Sequence, residues 1–226
     1  DRVERFMTAA RHALAEGEYG LAAQRLIYAR DADPQNPAVL RLMTFAFWQD
    51  GEIDAAARSV RAWARVEPER PAPQRFASRI YEQMRAFDLA SEAAESAAAL
   101  APQDADAWER VGRLALRTGN PSRAAEALEQ ARELAPTVEG LLDLALANQL
   151  LGELGGELTA CEQATVLEPE FSPAWSRLAH ALARSDRVSD AIAAAERALA
   201  LDPGDIELTE LLDQLLEREP RALPAA

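Results

Sequence analysis

Six prolines cut this chain into nearly equal lengths, and no other feature restricts its fold as much. Pro34, Pro68, Pro102, Pro136, Pro169 and Pro203 are separated by 34, 34, 34, 33 and 34 residues. Each follows an acidic residue or Ala at the end of an apolar string, as in Ala-Leu-Ala-Leu-Asp-Pro ending at Pro203 and Ala-Ala-Leu-Ala-Pro ending at Pro102. A fixed period means that one supersecondary unit is used repeatedly. No unit buries its apolar face alone, so each must stack on the next. Midway through the units stand turn signals: Gly17-Glu18-Tyr19, Gly51-Glu52-Ile53, Gly119-Asn120-Pro121 and Gly152-Glu153-Leu154. Each unit therefore reads as two helices of about a dozen residues, broken by a glycine turn and closed by proline, which predicts an all-α chain.

The residues inside the period are specific as well. The fourth unit carries Trp108, Val111, Gly112, Gly119, Ala124, Leu128, Ala131 and Pro136, and the sixth carries Trp175, Leu178, Ala179, Ala191, Ala198 and Pro203. The first supplies Gly17, Tyr19, Ala22, Leu26, Ala29 and Pro34; the second supplies Leu40, Met43, Phe47, Gly51, Ala56 and Pro68. In this pattern the sequence resembles the tetratricopeptide repeat (TPR) family over almost its whole length. The resemblance implies a right-handed superhelical solenoid of antiparallel helix pairs, forming one domain over 1–226. Its repeats would span 3–36, 37–70, 71–104, 105–137, 138–171 and 172–205, followed by a capping helix at 206–218 and a disordered tail at 219–226.

Small residues at fixed places allow close helix approach: Gly112, Ala145 and Ala179 in first helices, and Ala22, Ala56, Ala90, Ala124 and Ala191 in second helices. The segment 206–218 turns Leu208, Leu212, Leu215 and Leu216 toward the last repeat and Glu207, Glu210, Gln214 and Glu217 toward water, as a terminal cap requires. Trp108 and Trp175, at the family's packing position, are expected in the core. Two units depart from the pattern. The third has Gln74 at the aromatic position and Arg85 in place of the turn glycine. The fifth is one residue short, has Glu157 at a small-residue site, and carries Gly155-Gly156 early in its second helix, which is expected to start late.

Charge and composition exclude several functions. The formal net charge of -14 repels a phosphate backbone, so nucleic acid is not an expected partner. No apolar run is long enough to cross a bilayer, and the chain reads as soluble, in cytoplasm or periplasm. It begins at Asp1 rather than Met, as a processed or excised piece would. All 24 basic residues are Arg, so no lysine chemistry is available. His12 and His180 lie far apart with no Cys or carboxylate at ligand spacing, so neither a metal site nor a catalytic triad is expected. Cys161, the single cysteine, falls where a small buried apolar residue belongs. A non-enzymatic chain without a cofactor is the reading that follows.

The charge is distributed by helix. The first fourteen residues of the six units sum to +2, whereas the remainders of the same units sum to -13. On the first helices, one stripe at helical spacing holds Arg11, Arg41, Arg75, Arg79 and Arg113, with His180 in the sixth unit and Arg110 and Arg117 on flanking positions. Arg41, Phe45 and Trp48 form a mixed stripe of their own. Guanidinium forks beside large aromatics suit a carboxylate-rich segment with apolar anchors. The expected function is a protein-binding scaffold for an acidic protein or peptide partner, using Arg41, Phe45, Trp48, Arg75, Arg79, Arg110, Arg113, Arg117 and His180. The family resemblance implies a bacterial assembly factor of an envelope, pilus or polysaccharide-export system. Two alternatives stay open: a self-assembling scaffold that forms homo-oligomers, and a targeting domain of a larger enzyme.

Overall fold

The structure, a computed structural model, describes residues 2–218, so the expected disordered tail at 219–226 lies outside the described residues. Those residues form thirteen helices and no strand, grouped in two compact units that divide at Thr118 and Gly119. Unit 1 contains α1 (Arg2–Ala15), α2 (Tyr19–Ala32), α3 (Pro37–Gln49), α4 (Ile53–Val66), α5 (Pro71–Gln83), α6 (Phe87–Leu100) and α7 (Ala105–Arg117). Unit 2 contains α8 (Pro121–Leu134), α9 (Val138–Leu151), α10 (Leu154–Leu167), α11 (Ser172–Arg184), α12 (Val188–Leu201) and α13 (Ile206–Arg218). Within each unit every helix packs on the next in sequence, and in unit 2 α11 also touches α9 and α13.

One turn recurs at each break between paired helices. Gly17, Gly51, Gly119 and Gly152 have φ between 74° and 82°, and Arg85 and Asp186 take the same left-handed backbone at φ 59°. The residue after the left-handed position donates its N–H to the carbonyl five residues back: Glu18 to Ala13, Glu52 to Phe47 and Glu153 to Asn148, each at 2.9 Å. Ala86 to Tyr81 at 2.9 Å and Arg187 to Leu182 at 3.1 Å complete the set without glycine. This Schellman-type closure satisfies the last carbonyls of one helix and reverses the chain into the next. Between units of the period, polar caps start helices: Asn36 accepts from the N–H of Ala38 and Val39, and Thr137 from that of Gly140.

Alanines line the contacts between helices. Ala22, Ala56, Ala90, Ala124 and Ala191 are all fully buried, which brings paired backbones close. In unit 1, Met7, Leu26 and Met43 anchor one core cluster and Val60, Trp63 and Ile80 another; in unit 2, Val138, Leu141, Ala164 and Ala174 pack together. The terminal α13 seals its unit with Leu208 and Leu215, both 0% exposed, while Leu216 turns outward, contrary to the inward stripe expected of it.

Two further expectations are corrected. Trp108 and Trp175 are half-buried rather than core. Each indole donates to the carbonyl of the repeat-closing proline before it, Trp108 to Pro102 at 3.0 Å and Trp175 to Pro169 at 2.9 Å, so the ring lies over the connection it bonds. Nor does the fifth unit's second helix start late: α10 begins at Leu154, two residues after the turn glycine, with Gly155 and Gly156 inside it. The missing residue falls instead in the connection between α8 and α9, which is three residues long where the connection between α2 and α3 has four.

Candidate functional site

The arginines singled out on the third and fourth units converge on one face of α5 and α7 in unit 1. Arg110, on α7, donates from Nε to the Ser78 hydroxyl and from Nη2 to Glu82 Oε2, both at 2.7 Å. Arg117, two turns along the same face of α7, donates to Glu82 Oε1 at 2.7 Å and stacks its guanidinium 4.7 Å from the centre of the Phe87 ring. Arg75 forms an ion pair with Asp104, and its buried Nε has no hydrogen-bond partner. Arg79 and Arg113 are exposed and join no ion pair among the described residues. Burial pulls the Arg110 guanidinium below its ordinary value; Glu82 opposes this, and the like charges of Arg79 and Arg113 add to it. Five guanidiniums thus share a face on which two carboxylates, Glu82 and Asp104, are paired with three of them.

The other residues of the sequence-derived set lie elsewhere. Arg41 lines a cavity of about 330 Å³ together with Glu67, Arg70, Ala72 and Trp63. Phe45 is half-buried and meets Tyr19 edge-on at 6.3 Å between ring centres. Trp48 is also half-buried: its indole donates to Gln83 Oε1 at 2.8 Å and packs edge-on against Phe76 at 5.7 Å, which ties α3 to α5. Arg11 pairs with Glu4 at 2.9 Å on α1. The sequence reading did not single out Ser78, Asp104 or Gln83. A carboxylate or amide one repeat away from each cation or indole was the signal to follow.

His180 belongs to unit 2, where it lines a cavity of about 480 Å³ with Arg177 and Arg184 on one side and Asp202, Asp205 and Glu207 on the other. Glu157, 2% exposed, forms an ion pair with Arg184 at the cavity wall. Burial lowers the His180 pKa and Arg184 lowers it further, against the pull of Asp205 and Glu207, which biases the ring toward its neutral form. Cys161 is fully buried, and desolvation together with Glu157 pushes its thiol up to about 12. A buried thiol held protonated in this way packs as a small apolar side chain. Among the described residues there is no cluster of side chains that would hold a metal, and no helix is long and apolar enough to cross a membrane.

Tetratricopeptide repeat family models match residues 13–80, 77–139, 110–171 and 172–205. No curated protein matches the sequence. Among solved structures, YrrB, described as a TPR protein with an unusual peptide-binding site, has a TM-score of 0.73 at 16% identity, covering 85% of this chain and 99% of its own. PilF of Pseudomonas aeruginosa has a TM-score of 0.67 at 15% identity, covering 94% and 97%. A chain of the APC/C hetero-tetramer Cut9-Hcn1 has a TM-score of 0.58 at 19% identity over 95% of this chain, which spans only 43% of that one. At such identities the likeness establishes the fold alone, and it agrees with the helix pairs, left-handed turns and buried alanines described above. With family matches running from residue 13 to residue 205, the chain belongs to the tetratricopeptide repeat family.

Proposed function

We propose that this chain is a non-catalytic protein-protein interaction scaffold that holds an acidic or carboxylate-bearing partner segment across the arginine face of α5 and α7. The observation that carries the reading is the charge imbalance on that face. Arg75, Arg110 and Arg117 are anchored by Glu82 and Asp104, whereas Arg79 and Arg113 are exposed and outside any ion pair among the described residues. An arginine fork binds a carboxylate through two parallel hydrogen bonds, and Arg79 and Arg113 need break no ion pair to do so. Trp48 and Phe45 supply half-buried aromatic surface in the same unit as apolar anchors, and Arg41 and Arg70 line a further cavity with one carboxylate, Glu67. For the setting we keep what the family resemblance implies, an assembly factor in a bacterial envelope, pilus or polysaccharide-export system.

The test is fluorescence anisotropy with a labelled, end-blocked peptide of Glu and Leu. Arg79→Glu combined with Arg113→Glu is expected to weaken binding at least tenfold without loss of helix content or melting temperature, because no ion pair is broken and the like charges around Arg110 are relieved. Unaltered binding by the double variant removes this face from the function. Salt-sensitive oligomers of the chain in sedimentation, abolished by the same double variant, would favour self-assembly instead.

A further inference from the structure

The two units differ sharply in charge. Of the formal -14, residues 1–118 carry -2 and residues 119–226 carry -12. Unit 2 has its own polar cavity, of about 480 Å³, within the range of a ligand-binding pocket. Its charges are segregated. Arg177 and Arg184 project from α11, while Asp202, Asp205 and Glu207 come from the connection between α12 and α13 and the first turn of α13.

The availability of these groups differs. Arg184 is committed to the buried Glu157. Arg177 makes only a long contact of 3.5 Å to Gln149 Oε1, so its charge is open to a ligand. On the acidic side, Asp202 accepts from the Gly204 N–H at 3.1 Å and Asp205 from the Leu208 N–H at 3.0 Å, each through Oδ1, while Glu207 is exposed. His180 feels both sides, being influenced by Arg177 and Arg184 and by Asp205 and Glu207. With the Arg184–Glu157 pair cancelled, one cation faces three carboxylates.

We propose that this cavity is a second binding site, separate from the arginine face of unit 1, for a dipolar group in which a cationic nitrogen lies a few ångströms from a carboxylate. The carboxylate pairs with Arg177. The cation is held by Glu207 and the open oxygens of Asp202 and Asp205, and the excess of acid disfavours any ligand of net negative charge. In its neutral form the His180 ring, at the seam, offers one donor and one acceptor without adding charge. Such a group is found either in a partner segment where basic and acidic side chains alternate or in a free amino acid.

The test is amide chemical-shift perturbation on the full chain, with three end-blocked peptides of equal length and free lysine. One peptide alternates Lys and Glu, one contains Glu and Ala, and one contains Lys and Ala. The alternating peptide is expected to shift resonances of α11 and the start of α13, and Arg177→Gln or Glu207→Gln to weaken it about tenfold. Arg79→Glu with Arg113→Glu leaves this binding unchanged, so failure here is distinguishable from failure of the unit 1 reading. Saturable binding of free lysine at the same resonances assigns the dipolar chemistry to a small molecule. Equal binding of either single-charge peptide, or no perturbation of these resonances by any probe, overturns the proposal.

Discussion

Arg110 and His180 illustrate how burial alters a side chain's role without changing its identity. Arg110, with its side chain 18% exposed, gives its donors to Ser78 and Glu82, so it organises the cationic face more than it meets a partner. His180, on the same stripe of its repeat as Arg79 and Arg113, is pushed toward the neutral form by burial. That depression has a sign in stability. The unfolded chain binds a proton at His180 at higher pH than the folded one, so the folded state loses stability as pH falls below the ordinary imidazole value of about 6.5 and keeps it above. Urea unfolding of the wild type and His180→Gln is expected to show the wild type losing more stability between pH 7 and pH 5. An NMR titration should place the folded His180 transition below that of the urea-unfolded chain.

Among the elements, α10 departs most from its neighbours in sequence and least in geometry. Its two glycines are not equivalent. A Cβ at Gly155 would meet nothing within 4 Å, whereas one at Gly156 would lie 2.9 Å from Asn148 Nδ2 on α9. Gly156 is therefore where two helices of one repeat approach closely, and Gly155 is only a weak helix former. Thermal unfolding of Gly155→Ala is expected to show a gain of up to about 1 kcal/mol, the difference in helix propensity. Gly156→Ala should gain less or lose stability, because Asn148 must move. The early glycines do not delay the helix because the Gly152 turn, with Glu153 bonded to Asn148, sets its start before propensity acts. Likewise, Arg85 and Asp186 occupy the left-handed position that glycine fills elsewhere, which shows the repeat geometry overriding local preference.

Over the whole molecule, a net charge of -14 describes neither unit's local charge pattern. The arginine face of α5 and α7 is cationic within a unit of -2, and the cavity beside His180 is acidic within a unit of -12. Acidic-peptide binding at the arginine face should weaken steeply as salt rises from about 0.05 to about 0.5 M, since exposed charges are screened over a few ångströms at the upper limit. A salt-independent affinity, measured by anisotropy, would mean that apolar contacts at Trp48 and Phe45 carry the binding rather than Arg79 and Arg113.

The fold was legible from the sequence because a repeat protein is specified locally. The proline spacing, turn residues and buried alanines recur within every 34 residues, and each repeat needs only its neighbours. Helix pairing and the four glycine turns followed from that period. The pairing of charges did not. Arg110 reaches Glu82 28 residues back, Arg117 reaches the same carboxylate 35 back, and Arg184 reaches Glu157 27 back. Trp48 likewise bonds Gln83 35 residues on. These separations are about one repeat, so the partner of each cation is decided by how adjacent repeats stack. A helical stripe identifies which arginines share a face of their own helix. Only the packed structure decides which of them are spent on a neighbouring carboxylate and which, like Arg79 and Arg113, stay exposed and outside any ion pair among the described residues.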